Sequence, residues 1–326
     1  MIITRSPLRL PLAGGGTDLE SYYLGRGSTW ISVAINKYCY SIINKRFDSN
    51  FLIKYSKLED VAEVDEIQHN LVREALKFFK VKNQVELTFT ADIPGSTGLG
   101  SSSSFLVSLI SALGSYLELD LSPTDLASIS TEIERDILKE PIGLQDQYIT
   151  ALGGMKQFDV SPTGNLSFHD LQIGSTDLEK IQNSLVLLYT GIKRDSKTIL
   201  SQQVSSTNER DSDVINRLDF VKSQVPQIRN ALIELDIETL GSLFNEHWLL
   251  KSKQSKDMSN DQIDNLYSKS LSCGALGGKL VGAGGGGFLL VVVKDKIQFI
   301  KDSLGNGLEV LPFEFEMNGA TTLFNY

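Results

Sequence analysis

A run of glycines and serines is the part of this sequence best suited to binding phosphate. Residues 95–104 read Gly-Ser-Thr-Gly-Leu-Gly-Ser-Ser-Ser-Ser. The alternating residues 85–93 before this run predict a strand, and the apolar spacing of residues 105–117 after it predicts a helix. Because the first turn of a helix has unpaired N–H groups and a positive dipole end, we expect phosphate to bind there. The serine hydroxyls add donors, and one of them could face a magnesium ion.

Other interpretations of the glycine motifs are weaker. Glycine and serine before a helix are ordinary turn and cap residues, but Gly-Leu-Gly followed by four serines is more than a cap needs. The run is not a Walker A loop, because no Lys-Ser or Lys-Thr follows the glycines. A later run, residues 282–287, matches G-x-G-x-x-G, yet it precedes a β-branched strand instead of a helix. We therefore reject a dinucleotide site.

Two acidic residues on consecutive predicted helices could face one site. Glu134 lies at the edge of the apolar face of a helix that begins after Ser122, with proline at its first position. Asp146 lies in the first turn of the next helix, residues 143–152, where an acid suits the helix dipole. A solvated glutamate and a purely structural aspartate are the alternatives that the sequence leaves open.

The N-terminal strand leads into a second candidate binding loop. Residues 2–12 alternate as a strand with Arg9 on its polar face, and residues 13–18 read Ala-Gly-Gly-Gly-Thr-Asp. Three glycines allow a close approach of the backbone, and Thr17 and Asp18 can hydrogen-bond a polyol. The alternative is a simple turn in which Asp18 caps a helix.

Composition restricts the class of protein. The 326 residues allow two domains, and the net charge of −9 disfavours nucleic acid or an anionic membrane as partner. The two cysteines, Cys39 and Cys273, cannot form a disulfide framework or a cysteine-rich metal site, which fits a reduced, cytoplasmic setting. We expect neither a signal peptide nor a membrane span, because no apolar run approaches ~20 residues.

A basic run at residues 190–197 allows two interpretations. Such a run is usually a solvated face, and an anion site is the less common interpretation.

The remaining elements are predicted from periodicity. The predicted elements are a β-meander of residues 30–35, 38–45 and 51–55, helices over 66–79, 212–234, 237–255 and 260–272, a strand at 185–189, a strand–turn–strand over 279–293, and strands at 308–315 and 320–324.

The three glycine-rich motifs, residues 6–18, 94–104 and 279–287, resemble in order and content those of the GHMP kinases. That family includes galactokinase, homoserine kinase, mevalonate kinase and phosphomevalonate kinase, and the resemblance covers nearly the whole chain. It implies an α+β fold of two lobes, a ribosomal-protein-S5-like lobe over 1–165 and a ferredoxin-like lobe over 166–326. It also implies ATP and Mg²⁺ as cofactors and leaves a homodimer open.

The resemblance implies a role for each matching residue. Asp146 matches the base toward the attacking hydroxyl, Arg9 the basic residue beside that acid, and Asp18 an acid that binds sugar hydroxyls. Ser102 and Glu134 look like the magnesium ligands, with Ser101 as the alternative serine. The residues expected around the ATP phosphates are Gly95, Ser96, Thr97, Gly98, Leu99, Gly100, Ser101, Ser102, Ser103 and Ser104. The residues expected at the substrate are Gly14, Gly15, Gly16, Thr17, Asp18, Gly143, Lys193, Arg194, Gly284 and Gly285, with Arg5 and Lys197 as further candidates for a substrate phosphate.

One departure from the family pattern concerns the substrate. Galactokinase-like and mevalonate-kinase-like motifs carry Gly-Glu-His where this chain has Gly14-Gly15-Gly16. The Gly-Gly-Gly-Thr-Asp form is similar to the heptose kinase branch, whose members phosphorylate the anomeric hydroxyl of D-glycero-D-manno-heptose 7-phosphate. The resemblance therefore implies the 1,7-bisphosphate as product, for nucleotide-activated heptose synthesis. Another sugar such as L-fucose, or a non-catalytic homologue that binds sugar and ATP, are the alternatives.

Overall fold

Two β-sheets, each packed against helices, make up the two lobes of the chain. The structure, a computed structural model, describes residues 1–82, 84–192, 196–254, 260–282 and 284–326. The strands are β1 Ile2–Ala13, β2 Ser28–Lys45, β3 Phe51–Lys54, β4 Leu58–Val61, β5 Val85–Ala91, β6 Met155–Val160, β7 Leu166–Asp170, β8 Leu185–Tyr189, β9 Ala275–Leu280, β10 Phe288–Val293, β11 Glu309–Leu311 and β12 Thr321–Asn325.

Helices connect and cover these strands. The α-helices are α1 Glu20–Tyr23, α2 Asn70–Phe78, α3 Ser101–Tyr116, α4 Pro123–Thr131, α5 Gln145–Leu152, α6 Ser175–Asn183, α7 Ser196–Asn208, α8 Ser212–Ser223, α9 Val225–Glu234, α10 Ile237–Gln254, α11 Asp261–Ser272 and α12 Lys296–Gly305. A short 3-10 helix covers Val64–Glu66, and a π-helical turn covers Glu132–Ile137. Within the described ranges, no helix has both the length and the apolarity that crossing a membrane requires.

The first sheet has the strand order β12-β1-β2-β5-β3-β4; β6 pairs with the first half of β2, and β7 pairs with β6. The predicted β-meander is wrong, because its first two strands form the single strand β2, and its third strand, β3, pairs in parallel with β5 instead of with β2. The pairing of β1 with β2 shifts register after Pro7, where Asn36 and Lys37 bulge out without ending the strand. Pro7 has no N–H to donate to the ladder, so the pairing skips past it through a bulge. The strand β2 continues through this bulge, and no turn forms there.

The second sheet is antiparallel throughout, in the order β11-β8-β10-β9. Helices cross over between β8 and β9 and again between β10 and β11, which is the ferredoxin-like arrangement. All six residues of β10 are buried, because helices or loops cover both faces of this strand. The predicted mixed α+β fold with a ferredoxin-like C-terminal lobe is confirmed.

Some predicted boundaries differ from the structure. The predicted helix over 212–234 is two helices, α8 and α9, because Pro226 lacks the N–H that a continuous helix needs. The predicted strand over 308–315 is only β11, which ends before Pro312. Strands β7 and β12 pair with β6 and β1 and so join the first sheet. The division of the chain at residue 165 stays a prediction.

Candidate active site

A bidentate ion pair joins the first strand to the helix that carries the predicted base. The Nε and Nη2 atoms of Arg9 donate to the two carboxylate oxygens of Asp146, each at 2.7 Å. The third guanidinium nitrogen, Nη1, donates to the carbonyl of Gly98 at 2.5 Å. The side chain of Arg9 is 6% exposed and that of Asp146 is 25% exposed, so the acid is the more accessible partner. Both line a cleft whose wall also contains Gly15, Gly16, Asp18, Gly143, Gln203, Arg217 and Gly282.

Glu134 is buried and does not lie on a solvated face. Its Oε1 accepts from the hydroxyl of Ser102 at 2.8 Å, and its Oε2 accepts from Ser103 at 3.0 Å and from Nε2 of Gln147 at 2.6 Å. Burial raises the pKa of Glu134, and these three hydrogen bonds oppose the rise. The π-helical turn widens the helix at this residue, a feature that is frequent at functional sites.

The N-terminus of α3 opens onto this pair of acids. Gly100 is the N-cap residue, with φ of +78° and without a side chain to cap the helix. The N–H groups of the first turn therefore have no intrahelical acceptor and can bind an anion. A Cβ at Gly100 would lie 3.2 Å from Oδ2 of Asp146, which places the loop directly against the predicted base.

Two residues of the same loop hold it in place. The side chain of Leu99 is buried in the core, and its carbonyl accepts from the backbone N–H of Arg9 at 3.0 Å. The hydroxyl of Ser104 donates to the carbonyl of Ser6 at 2.8 Å and is buried. The structure therefore does not bring these two side chains to a phosphate site, although both anchor the loop that forms it.

The third glycine motif packs on the second, backbone against backbone. A Cβ on Gly98 would lie 2.5 Å from the carbonyl oxygen of Val281, and one on Gly282 would lie 2.8 Å from Cα of Gly98. A Cβ on Gly287 would lie 2.1 Å from the carbonyl oxygen of Thr97. All three glycines also have positive φ. Only glycine permits this contact, which attaches the second lobe to the loop of the first.

Asp18 links the first glycine motif to the helix of the predicted base. Its Oδ2 accepts from the backbone N–H of Gln145 at 3.0 Å, and its Oδ1 accepts from that of Gly16 at 3.2 Å. Burial raises the pKa of Asp18. The alternative role as a cap is excluded, because α1 begins after Leu19 and has no side-chain cap bond. A Cβ on Gly143 would lie 1.9 Å from Oδ2 of Asp18, so this contact requires glycine there.

The structure does not bring every residue of the first motif to the cleft. The hydroxyl of Thr17 is buried, donates to the carbonyl of Gly14 at 2.8 Å and lies 2.5 Å from the hydroxyl of Ser28. Thr17 therefore closes a turn instead of facing a sugar. A Cβ on Gly14 would meet the backbone of Trp30. Gly15 and Gly16 do line the cleft.

The other predicted substrate residues have different outcomes. Gly284 and Gly285 have φ of +103° and +80° and do not line the cleft; the described residues of the third motif that do are Lys279, Leu280 and Gly282. Arg5 lies over the ring of Tyr38, at 4.1 Å, and does not line the cleft. Lys193, Arg194 and the side chain of Lys197 lie outside the described residues.

Sequence reasoning gave no role to several side chains of this cleft, among them Gln147, Gln203 and Arg217. Gln147 holds Glu134, Gln203 donates to the carbonyl of Gly16 at 3.0 Å, and Arg217 lines the cleft wall. Gln147 follows Asp146 in the predicted helix, so its closeness to the base was a usable signal. Gln203 and Arg217 lie on helices of the second lobe, and no local motif marks them.

The side chains around Glu134 fit a magnesium ion that also binds ATP. Within the described residues, no group of three or more His, Cys, Asp or Glu side chains could hold a metal. Mg²⁺ with a nucleotide needs only one or two protein carboxylates, since the phosphates and water supply the other ligands. Ser102 and Glu134 provide a hydroxyl and a carboxylate, and the buried Oε1 of Gln147 has no donor within the described chain. This acceptor could receive a hydrogen bond from metal-bound water.

Comparison with known families identifies the chain. Residues 70–154 match the family described as the GHMP kinases N terminal domain, and residues 228–309 match the GHMP kinases C terminal domain. Together these matches cover just over half of the chain. The chain therefore belongs to the GHMP kinases, which are ATP-dependent phosphotransferases, and the predicted family is confirmed.

Individual relatives cover most of its length. A D-glycero-alpha-D-manno-heptose 7-phosphate kinase of Campylobacter jejuni is 28% identical over 304 residues, which cover 90% of this chain and 89% of the relative. An L-fucokinase/L-fucose-1-P guanylyltransferase of Bacteroides fragilis is 26% identical over 89% of this chain, but the match covers 34% of that longer protein. A solved D-glycero-D-manno-heptose 1-phosphate kinase of Bacteroides thetaiotaomicron has the same fold, with a TM-score of 0.81, 22% identity and full coverage of both chains.

Proposed function

We propose that this chain, an ATP-dependent sugar kinase of the GHMP family, phosphorylates the anomeric C1 hydroxyl of D-glycero-D-manno-heptose 7-phosphate. The product would be the 1,7-bisphosphate, a precursor for nucleotide-activated heptose. One observation carries the proposal: the Arg9–Asp146 pair and the Ser102–Glu134 pair meet at the uncapped N-terminus of α3. The 28% identity to a heptose 7-phosphate kinase over 90% of the chain supports the choice of sugar.

Asp146 is the proposed base. Both of its oxygens accept from Arg9, yet each carboxylate oxygen has a second lone pair, and the side chain is 25% exposed toward the cleft. The C1 hydroxyl would donate its proton to Asp146 as its oxygen attacks the γ-phosphorus and ADP departs. Arg9 fixes the orientation of the carboxylate through two parallel hydrogen bonds.

The proposed site for the ATP phosphates is the loop over residues 95–104 together with the first turn of α3. Phosphoryl transfer requires alignment of the reacting oxygens and neutralisation of negative charge more than covalent chemistry. Backbone N–H groups at a helix N-terminus supply the charge neutralisation. Ser102 and Glu134 are the proposed magnesium ligands. When bound, magnesium would neutralise negative charge on the phosphate oxygens during transfer.

The proposed sugar site lies beside Asp18 and the glycine loop. Gly15 has open space where a Cβ would be, so a ligand can approach the backbone there. The backbone N–H of Gln145 donates to Asp18, while its side-chain Nε2 is buried and has no acceptor within the described chain. A sugar hydroxyl would satisfy this donor. We propose a cytoplasmic location for the reaction, since a reducing compartment would keep Cys39 and Cys273 as free thiols.

A substrate panel tests the proposal. Purified protein with Mg²⁺ and ATP is given heptose 7-phosphate, unphosphorylated heptose, L-fucose, D-galactose and mevalonate, and ADP release is measured. Phosphorus NMR then locates the new phosphate. We expect the highest kcat/KM with heptose 7-phosphate and a new anomeric phosphate signal. ADP release with L-fucose alone would instead support the second candidate, which the match to the Bacteroides fragilis enzyme over 89% of this chain favours.

A further inference from the structure

Arg217 is a cation of the cleft wall that the proposed chemistry does not use. Three arginine or lysine side chains line the described part of the cleft: Arg9, Arg217 and Lys279. Arg9 is paired with Asp146, and Nζ of Lys279 donates to the carbonyl of Leu12 at 2.6 Å. Among the residues that the structure describes, Arg217 has no hydrogen bond and no ion pair.

The position of Arg217 is fixed by its helix. On α8, Asp219 accepts from the hydroxyl of Tyr22 at 2.6 Å, and Lys222 donates to the carbonyls of Arg26 and Gly27, each at 2.8 Å. Asp219 and Lys222 are three residues apart on α8, so these bonds dock about one turn of the helix onto the first lobe. The backbone of Arg217 is therefore fixed beside the cleft, and its side chain lines the cleft wall.

A chain of contacts leads from the proposed base to α8. Asp146 follows Gln145, whose N–H donates to Asp18, and Asp18 in turn accepts from the N–H of Gly16. A Cβ on Gly16 would lie 3.6 Å from Cδ2 of Leu218, the residue after Arg217. The glycine loop thus lies between Asp146 and α8. A sugar bound along this loop, with C1 at Asp146, would extend its other end toward α8.

An unpaired guanidinium in this place favours an anion. Burial lowers the pKa of Arg217, an effect that outweighs the opposing field of Asp211 at the start of α8. Asp211 forms no ion pair with Arg217 within the described residues; its Oδ1 accepts from the backbone N–H groups of Asp213 and Val214 and so caps α8. A half-buried arginine without a counter-ion is costly, and its planar fork matches two oxygens of a phosphate monoester.

We propose that Arg217 binds the phosphate that the sugar substrate already carries, at the end remote from the attacked hydroxyl. This inference rests on the proposed function, since it assumes a phosphorylated sugar. It also explains how a second-lobe helix would select heptose 7-phosphate over the free sugar: the dianion restores the missing counter-charge, whereas a hydroxyl would leave the guanidinium unpaired.

The test compares phosphorylated and free heptose in matched variants. In Arg217→Gln, we expect kcat/KM for heptose 7-phosphate to fall by about 30-fold or more, mainly through KM, because a buried charge contact is lost. The KM for ATP and the kcat/KM for free heptose should stay within about twofold of wild type. Arg217→Lys should recover part of the loss, since lysine restores the charge but not the fork. Arg229 lies on α9, outside the cleft lining, and is the matched control. Arg229→Gln removes the same charge and should leave kcat/KM unchanged for both heptose 7-phosphate and free heptose.

Binding without turnover separates this inference from the function. Titration calorimetry of heptose 7-phosphate without ATP should show the same loss of affinity in Arg217→Gln. If wild type turns over heptose 7-phosphate and Arg217→Gln has the same affinity and kcat/KM for it, the inference about Arg217 is overturned while the proposed function stands. Turnover of an unphosphorylated sugar, with neither binding nor turnover of heptose 7-phosphate, would overturn the proposed function together with this subsite.

Discussion

Replacing Asp146 by asparagine tests the chemistry while leaving the shape of the site unchanged. Arg9 donates to both carboxylate oxygens at 2.7 Å, and asparagine keeps only one of these acceptors. The change removes one charge-assisted hydrogen bond, worth about 1.5–3 kcal/mol, leaves the other with a neutral acceptor, and turns an amide N–H₂ toward a guanidinium N–H. Removing one partner of a buried ion pair costs about 3–5 kcal/mol; since Asp146 is 25% exposed, solvent screening reduces this value, and we expect a destabilisation of about 2–3 kcal/mol. Because domains are stable by about 5–15 kcal/mol, the variant should remain folded at 25 °C.

The effect on turnover should be much larger than the effect on folding. Asparagine cannot take the proton of the sugar hydroxyl, and general base catalysis contributes about 10²–10⁴-fold. We therefore expect kcat of Asp146→Asn to fall at least about 100-fold, with ATP affinity unchanged or slightly higher. Coupled ADP release gives kcat, calorimetry with a non-hydrolysable ATP analogue gives affinity, and urea unfolding gives the free energy.

A second bidentate pair provides the matched control. Arg135 donates to both oxygens of Asp136 at 2.9 and 3.0 Å, but this pair is more exposed and outside the cleft lining. Asp136→Asn makes the same chemical change and should cost at most about 1 kcal/mol without loss of turnover. Our reasoning is refuted if Asp146→Asn retains kcat within about tenfold of wild type, or if both variants lose turnover equally.

The contacts of Glu134, Gly98 and Ser102 should each have a measurable effect. Without Mg²⁺ and ATP, Glu134→Gln should be more stable to urea than wild type at pH 8. Burial raises the pKa of Glu134, so the wild-type fold loses stability as pH rises through that pKa and the carboxylate becomes charged. Equal stabilities of the two proteins at all pH values would contradict this prediction. Gly98 has a φ of +82°, and a Cβ there would lie 2.5 Å from a backbone oxygen, so Gly98→Ala should raise the KM for ATP at least about tenfold. A Cβ at Gly95 would meet open space, so Gly95→Ala should not raise this KM. Ser102→Ala should raise the Mg²⁺ concentration needed for half-maximal rate by about tenfold or more, and an equal shift in Ser101→Ala would disprove the assignment of the serine.

The sequence alone predicted the parts of the site that have a local cause. The glycine–serine loop before α3 could be recognised because turn chemistry and the helix N-terminus depend on neighbouring residues. The acids Glu134 and Asp146 could be placed on consecutive helices by apolar periodicity and capping residues. The ferredoxin-like lobe, by contrast, came from the family resemblance, since periodicity did not give its strand order.

Only the tertiary structure decided which residues meet. Arg9 and Asp146 are 137 positions apart, and Gln203 and Gly16 are 187 apart, so no local pattern predicts either contact. The same holds for Arg217, which looks like any charged residue of an amphipathic helix until α8 docks on the first lobe. The approach of Gly98 to Gly282 also depends on how the two lobes pack. Local chemistry marks a loop or a helix end, but a binding cleft forms only where distant segments come together.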